Sequence, residues 1–374
     1  MKSSKVSEFV DSYTRDLKAE DLQRLFTRDT REAYDFFARN VDFSAFDGLP
    51  RHKRYFHQAR LIFLAFTMRM SPARRVVYAL ALITALLGMI GLATRTGMAD
   101  GTGWLLLGFL LMNLLVLLEV AERLSLKNDL EIAREIQVAM LPHGLHRTPT
   151  AETVGLSRPA NTVGGDFFDV IHLADGRLVV ALGDVSGKGS PAALLMALLL
   201  AMLRTLVQAM EEEPCDTPTL MARLNVQVGR HAPGSRFITL FLGIFDPRTG
   251  RLDYVNGGHM PPILMRASGA SERLTTGGIA LGMFERSTYE TAVVHVGPAD
   301  LLAMYSDGIT EAEDPAGRPF DETGLETILQ VEQANDIQEI GASIFRAVEA
   351  HRADNRFADD LTVLLLRRTS AAGA

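Results

Sequence analysis

Two apolar stretches, close together in the chain, constrain what it can fold into. Residues 76–94 and 104–120 carry no charged side chain apart from Glu119, near the end of the second stretch. At roughly 1.5 Å per residue, each is about long enough to cross the roughly 30 Å hydrocarbon core of a bilayer. Glycines such as Gly88 are costly in a soluble helix but ordinary in a membrane helix. Residues 76–120 therefore predict two transmembrane helices, with a buried soluble hairpin as the alternative.

Basic residues are concentrated at the two outer ends of this hairpin, before its first stretch and after its second. Arg74 and Arg75 precede the first stretch and Arg123 follows the second, whereas the connection holds Arg95 opposed by Asp100. Because cytoplasmic flanks carry the excess of Lys and Arg, both chain ends are expected in the cytoplasm. This predicts a multi-pass protein of the inner (cytoplasmic) membrane. The charged first seventy residues do not fit a cleavable signal, and the single Cys215 fits a reducing compartment.

The segments around the hairpin have helical patterns. Residues 1–70 predict an N-terminal cytoplasmic helical region, in which residues 56–70 fit either a helical domain or an anionic membrane surface. Residues 121–141 are charged and lack Gly and Pro until Pro142, which predicts a helical, coiled-coil-like linker. Its approximate heptad stripe consists of Leu126, Leu130, Ala133, Gln137 and Met140.

The remaining region, residues 142–368, mixes strand and helix patterns. Strand-like runs lie at 178–183, 237–245, 252–255, 292–296, 301–305 and 361–366, and helical runs lie at 192–210, 220–228 and 337–351. The strands outnumber the helices and are joined mainly as hairpins. We therefore predict a layered α+β domain.

Four acidic segments place an aspartate at the edge of strand-like runs. They are GGDFFD (164–169), GDVSGKG (183–189), SDGITE (306–311) and ADDLT (358–362). Folding can gather these carboxylates at one end of a sheet, where they repel each other unless they hold cations. Carboxylates without a Cys or His pattern favour Mg²⁺ or Mn²⁺ over zinc. Two such ions about 4 Å apart can stabilise a phosphoryl displacement, although each segment alone also fits a turn.

These segments occur in order with LP (141–142), FITLF (237–241) and NGGH (256–259). Together they make residues 141–366 resemble the metal-dependent PPM-type serine/threonine phosphatases, in particular the bacterial class named after stage II sporulation protein E. The resemblance implies an α-β-β-α sandwich over residues 142–368. It also implies hydrolysis of phosphoserine or phosphothreonine by a metal-bound water, with two Mn²⁺ or Mg²⁺ ions and a third left open.

The resemblance also implies roles for individual residues. Carried over onto this sequence, the catalytic and metal-ligand set is Asp166, Asp184, the Val185 backbone carbonyl, Asp307 and Asp359, with Asp184 bridging the two ions. Asp360 and Asp169 are weaker candidates. The arginine that grips the substrate phosphate in eukaryotic relatives has no equivalent here. Lys188 is left open, and His259 fits either a general acid or a structural histidine.

Partners follow partly from charge and partly from the resemblance. The net charge of −7 argues against nucleic acid. The resemblance implies a phosphorylated anti-sigma factor antagonist as substrate, a homodimer through the linker helix, and control by the membrane and N-terminal region. Two alternatives remain: a two-metal phosphoesterase acting on a small molecule or nucleotide, and a catalytically inactive membrane scaffold. The presence of all four principal aspartates argues against the scaffold.

Overall fold

The computed structural model describes residues 50–94, 101–210, 216–232, 236–352 and 357–369. The chain divides into two compact units, Met1–Ser125 and Leu126–Ala374. The expected helical region before residue 50, most of the hairpin connection and Cys215 lie outside the described residues.

The first unit contains helices α1 (Arg51–Arg69) and α2 (Pro72–Thr94) and the start of α3 (Gly101–Met140). Helices α2 and α3 are each long and apolar enough to cross a membrane. They pack closely where Gly108 removes a side chain, since a Cβ atom there would lie 3.0 Å from Thr84 Oγ1. At one end of the pair, Arg74 forms ion pairs with Glu119, at 3.2 Å, and with Glu122.

The second unit contains the end of α3 and a domain of sheets and helices. Its described helices are α4 (Ser190–Ala209), α5 (Thr217–His231), α6 (Asp307–Thr310), α7 (Asp321–Glu332) and α8 (Ile337–Arg352). Its described strands are β1 (Leu145–Thr148), β2 (Ala151–Arg158), β3 (Phe167–His172), β4 (Leu178–Val185), β5 (Ile238–Asp246), β6 (Arg251–Gly257), β7 (Ile263–Met265), β8 (Ser271–Arg273), β9 (Gly277–Gly278), β10 (Ala292–His295), β11 (Leu301–Tyr305) and β12 (Leu361–Arg368).

The strands form two sheets, and each sheet is covered on one face by helices. One sheet has the order β1-β2-β12-β11-β7-β8, and the other has the order β10-β6-β5-β4-β3 with β9 beside β6. All neighbours are antiparallel except β6 and β9. Because successive side chains of a strand face opposite sides, Val180 packs between the sheets while Val179 packs in the core that includes α4 and α5. Helices α7 and α8 cover the other sheet. This α-β-β-α sandwich confirms the predicted fold class.

Among the described residues, helix α4 is a third helix long and apolar enough to cross a membrane. Its buried side chains, among them Leu195, Leu199 and Leu203, belong to the core beneath the β3-β4-β5 sheet. Helix α4 is therefore a core helix of the second unit. The sequence prediction missed strands β1, β2, β3, β7, β8 and β9 and helices α6 and α7, most of which are too short or too mixed in composition for a clear periodic pattern.

Candidate metal centre

Five aspartates meet at one end of the sandwich because of where the strands end. Asp184 is the second-last residue of β4, and Asp166 directly precedes β3, its paired neighbour. Asp307 begins α6 just after β11, whereas Asp359 and Asp360 precede β12, which pairs with β11. The structure therefore brings together four widely separated segments of the sequence.

Hydrogen bonds fix the junction between β11 and β12. The Ser306 amide donates to the Thr362 carbonyl at 3.0 Å, and the Thr362 amide donates to Ser306 Oγ at 3.0 Å. Gly308 lies directly against the Asp360 backbone, where a Cβ atom would clash with the carbonyl oxygen. This close approach places Asp307 beside the residues that precede β12.

The buried carboxylates of this cluster destabilise one another's charged forms. Burial, followed by repulsion from Asp184 and Asp360, raises the pKa of Asp166 well above its usual range. Burial, followed by repulsion from Asp307 and Asp359, raises the pKa of Asp184 to about 7. The pKa of Asp307 is raised by burial and then by Asp359. The end of the sandwich thus concentrates negative charge with too little internal compensation.

Asp360 has a different role within the cluster, since backbone amides occupy its oxygens. The Ala160 amide donates to Oδ1 and the Gly165 amide donates to Oδ2, both at 2.7 Å. Its carboxylate therefore holds the loop that leads into Asp166.

Asp169, the other weaker candidate, is not brought into the cluster. Its Oδ2 accepts a hydrogen bond from Arg204 Nε at 2.7 Å, and its Oδ1 accepts one from the same guanidinium at 3.2 Å. Arg204 also donates to the Met140 carbonyl, the last residue of α3, at 2.6 Å. Asp169 thus positions an arginine that binds the end of the linker helix.

The linker helix has a second buried attachment, which sequence reasoning missed. Gln137 Nε2 donates to the Gly164 carbonyl at 2.8 Å, and the Gly164 amide donates to Gln137 Oε1 at 3.1 Å. Gln137 is 6% exposed. Its position as the polar member of an otherwise apolar stripe is the sequence signal of a buried hydrogen-bonding partner. Gly164 lies two residues before Asp166, so α3 contacts the loop of the candidate centre directly.

Lys188 contacts the segment that precedes β12. Lys188 Nζ donates to the Ala358 carbonyl at 2.6 Å and lies 2.9 Å from Asp359 Oδ2. It also lines a cavity of about 500 Å³, together with Gly308, Glu311, Arg352, Phe357 and Asp359.

His259 is buried between the two sheets. Its Nδ1 lies 2.9 Å from Thr239 Oγ1, and its Nε2 lies 3.1 Å from the Tyr305 carbonyl oxygen. Burial lowers its pKa to about 4. These contacts assign His259 a structural role that links β5 to β11.

The donor atoms of the cluster are all oxygens, which fits hard divalent cations. Among the described residues, no group of three or more His, Cys, Asp or Glu side chains is arranged to hold a metal ion. However, Asp166 Oδ2 is buried without a hydrogen-bond partner. In addition, Asp184 Oδ1 and the Val185 carbonyl oxygen both approach Gly165, each 2.9 Å from the position of a Cβ atom there. An unpaired buried carboxylate oxygen next to an all-oxygen donor set is what Mg²⁺ or Mn²⁺ requires.

Comparison with known proteins gives a consistent family assignment. The family model described as Stage II sporulation protein E (SpoIIE) matches residues 174–369. Protein IcfG of Synechocystis sp. is 31% identical over 55% of this chain and 36% of its own length. Phosphoserine phosphatase RsbU of Bacillus subtilis is 25% identical over 65% of this chain and 71% of its own length. The chain thus spans only about a third of IcfG.

A solved structure shows the same fold. The SiaA-PP2C domain of Pseudomonas aeruginosa superposes with a TM-score of 0.58, covering 66% of this chain and 98% of that domain at 19% identity. The sandwich is therefore a PP2C-type fold.

Proposed function

Because the chain belongs to the stage II sporulation protein E family, we propose that it is a metal-dependent protein serine/threonine phosphatase. The observation that carries the proposal is the cluster of mutually repelling aspartates at the end of the sandwich, in which Asp166 Oδ2 is buried without a hydrogen-bond partner. A cluster in which burial and like charges raise carboxylate pKa values is typical of functional sites. Relatives such as RsbU are named phosphoserine phosphatases.

The proposed ligands of two Mn²⁺ or Mg²⁺ ions are Asp166, Asp184, the Val185 carbonyl, Asp307 and Asp359. When bound, the ions would neutralise the carboxylates and activate a water molecule for attack on phosphorus. Asp360 is proposed as a positioning residue rather than a ligand, because its two oxygens already accept hydrogen bonds from Ala160 and Gly165.

The protein's own groups would orient the phosphate and keep the site in place. Ser306 and Thr362 fix the strand ends that present Asp307 and Asp359. Lys188 lies at the mouth of the cluster and presents a cation to the cavity beside it. Arg352 lines the same cavity. An ammonium and a guanidinium there would attract a phosphorylated side chain to a mouth that is otherwise acidic.

The proposed substrate is a phosphoserine or phosphothreonine on a regulatory protein, namely an anti-sigma factor antagonist. RsbU and RsbP, both named phosphoserine phosphatases of Bacillus subtilis, support this class. The cavity is open to the surface and is lined by Glu311 and Glu313 as well as by cations. A site of this kind suits a side chain presented by a protein better than a small molecule that must be enclosed.

We propose that the N-terminal half anchors the protein in the cytoplasmic membrane and controls the phosphatase through α3. Helices α2 and α3 have the length and composition for spanning. Helix α3 is continuous from Gly101 to Met140, and its last turns bind the Asp166 loop through Gln137. Homodimerisation through the linker helix is supported by apolar side chains that remain exposed on it, including Ile132 and Ile136.

The test is phosphate release from a phosphoserine protein, a phosphoserine peptide and a panel of nucleotides, each with Mn²⁺ and with chelator. We expect Mn²⁺-dependent release from the phosphoserine substrates and little from nucleotides. Preferential nucleotide hydrolysis would identify a small-molecule phosphoesterase. No release from the full-length protein in bilayers with any substrate would identify an inactive scaffold.

A further inference from the structure

A stretch of the first unit carries positive charge without any acidic residue. Residues 48–99 contain no Asp or Glu, whereas residues 51–75 contain seven Lys and Arg. Helix α1 contributes most of these cations, and it ends one turn before α2 begins at Pro72. A basic helix joined directly to an apolar helix has the charge of a segment that lies at an anionic surface.

The exposed face of α1 has two halves of different character. The N-terminal half exposes cations, including Lys53 and Arg60. The C-terminal half exposes large apolar side chains: Phe63 is 44% exposed, Leu64 36% and Met68 61%. Isolated exposed apolar residues are ordinary on soluble proteins, but several on successive turns of one helix mark an interaction surface.

Contacts with α2 hold the apolar half of α1 near the start of the apolar helix. The rings of Phe63 and Phe66 lie 6.1 Å and 5.8 Å from the ring of Tyr78. Arg75 donates to the Met70 carbonyl at 2.9 Å and to the Met68 carbonyl at 2.8 Å, which satisfies the C-terminal end of α1. Phe63 and Phe66 thus lie beside the first turns of α2, where a spanning helix would enter the membrane.

We propose that α1 is an interfacial helix that binds the anionic phospholipid headgroups of the membrane in which α2 is anchored. The apolar half would insert between lipids at the boundary, and the cations would pair with phosphate groups. The charge of α1 is complementary to an anionic lipid surface, and α1 is continuous with the apolar helix α2, which together favour this occupant. The inference rests on the proposed membrane location of α2.

The experiment uses the full-length chain carrying Cys215→Ser, so that a single introduced cysteine takes a fluorophore. Leu64→Cys reports on α1, and Leu86→Cys, which is on the exposed face of α2, reports on membrane insertion. The protein is reconstituted in vesicles of tail-brominated phosphatidylcholine, with or without phosphatidylglycerol. The bromine atoms quench fluorophores that enter the apolar layer.

We expect quenching at Leu64→Cys that increases with phosphatidylglycerol and falls when salt is raised. Each Lys or Arg near an anionic surface contributes roughly a fivefold change in the bound ratio. Lys53→Gln with Arg60→Gln should therefore lower the ratio of bound to free α1 about 25-fold. The matched control, Arg230→Gln with Arg346→Gln in the second unit, should leave it unchanged.

Quenching at Leu64→Cys that is absent, or equal in both vesicles and insensitive to the paired charge variant, would overturn the proposal. Quenching at Leu86→Cys is expected in both vesicles, and its absence would instead show that the membrane location is wrong. Metal-dependent phosphate release by the same samples reports separately on the proposed activity.

Discussion

Replacing Asp184 with Asn should stabilise the metal-free second unit at neutral and higher pH. The pKa of Asp184 is raised from 3.8 to about 7 by burial and by Asp307 and Asp359. At about 1.4 kcal/mol for each tenfold change in the proton-binding constant, the rise in pKa from 3.8 to about 7 corresponds to a ceiling of about 4 kcal/mol. Burial is the largest cause of the raised pKa, and the neighbouring carboxylates titrate together with Asp184, so we expect the variant to gain about half of this ceiling, about 2 kcal/mol.

The sign follows from proton linkage. A carboxyl group whose folded pKa is raised gives its full stabilisation below the unfolded pKa of about 4, and this is lost as pH rises through about 7. The wild-type protein in chelator should therefore lose stability between these values, and Asp184→Asn should lose less. A gain of about 2 kcal/mol corresponds to about 4–8 °C in melting temperature for a unit of this size.

Thermal and urea unfolding of a fragment spanning residues 126–374 in chelator, from pH 4 to pH 8, measures this effect. Asp253→Asn is the matched control, since Asp253 forms an ion pair with Arg251 on β6, away from the cluster. Adding Mn²⁺ should reverse the order, because the wild-type site binds cations and the variant site binds them weakly. If Asp184→Asn melts at or below the wild-type temperature at pH 8 in chelator, the charge of Asp184 does not destabilise the metal-free unit.

Three further substitutions test the attachment of the linker helix, the role of Lys188 and the packing of α2 against α3. Gln137→Leu leaves the amide and carbonyl of Gly164 buried without hydrogen-bond partners. We expect the free energy of unfolding in urea to fall by about 2 kcal/mol and the Mn²⁺ concentration needed for activity to rise. The control Gln208→Leu, at an exposed site on α4, should change neither quantity. Lys188→Gln removes the cation that pairs with the proposed ligand Asp359 and would compete with a metal ion for its carboxylate. Mn²⁺ should therefore bind several-fold more tightly in calorimetric titration. Unchanged or weaker binding would show that Lys188 does not compete with the metal. Gly108→Val should lower the melting temperature of the full-length protein in detergent because the new side chain meets α2 at about 3 Å, whereas Gly103→Val, with nothing within 4 Å of its Cβ position, should be close to neutral.

The sequence was sufficient to predict the layered fold and the segments that meet at the candidate centre. Asp184 and Asp307 follow apolar runs that form buried strands, so their positions at strand ends could be predicted from pattern alone. Each motif by itself also fitted a turn, and the order of the whole set decided between the two interpretations. Ligand roles stay predictions, because they depend on side-chain positions that no pattern specifies.

The contacts of Asp169 and Gln137 could not be predicted from the sequence. Asp169 is close to Asp166 in the sequence, but alternation along β3 places it on the same face as Phe167, beneath α4, where Arg204 binds it. Gln137 interrupted an apolar stripe and therefore weakened the coiled-coil interpretation. Its partner Gly164 lies in a loop far along the chain, and only the folded domain brings that backbone within hydrogen-bond distance.

We propose that the aspartate cluster holds two divalent cations. Crystals of the residue 126–374 fragment soaked in Mn²⁺, with diffraction data collected at the manganese absorption edge, test it most directly. We expect two anomalous peaks bounded by Asp166, Asp184, Asp307 and Asp359, and in Asp184→Asn we expect these to be lost or reduced to one. Peaks elsewhere, or an empty cluster at saturating Mn²⁺, would contradict it.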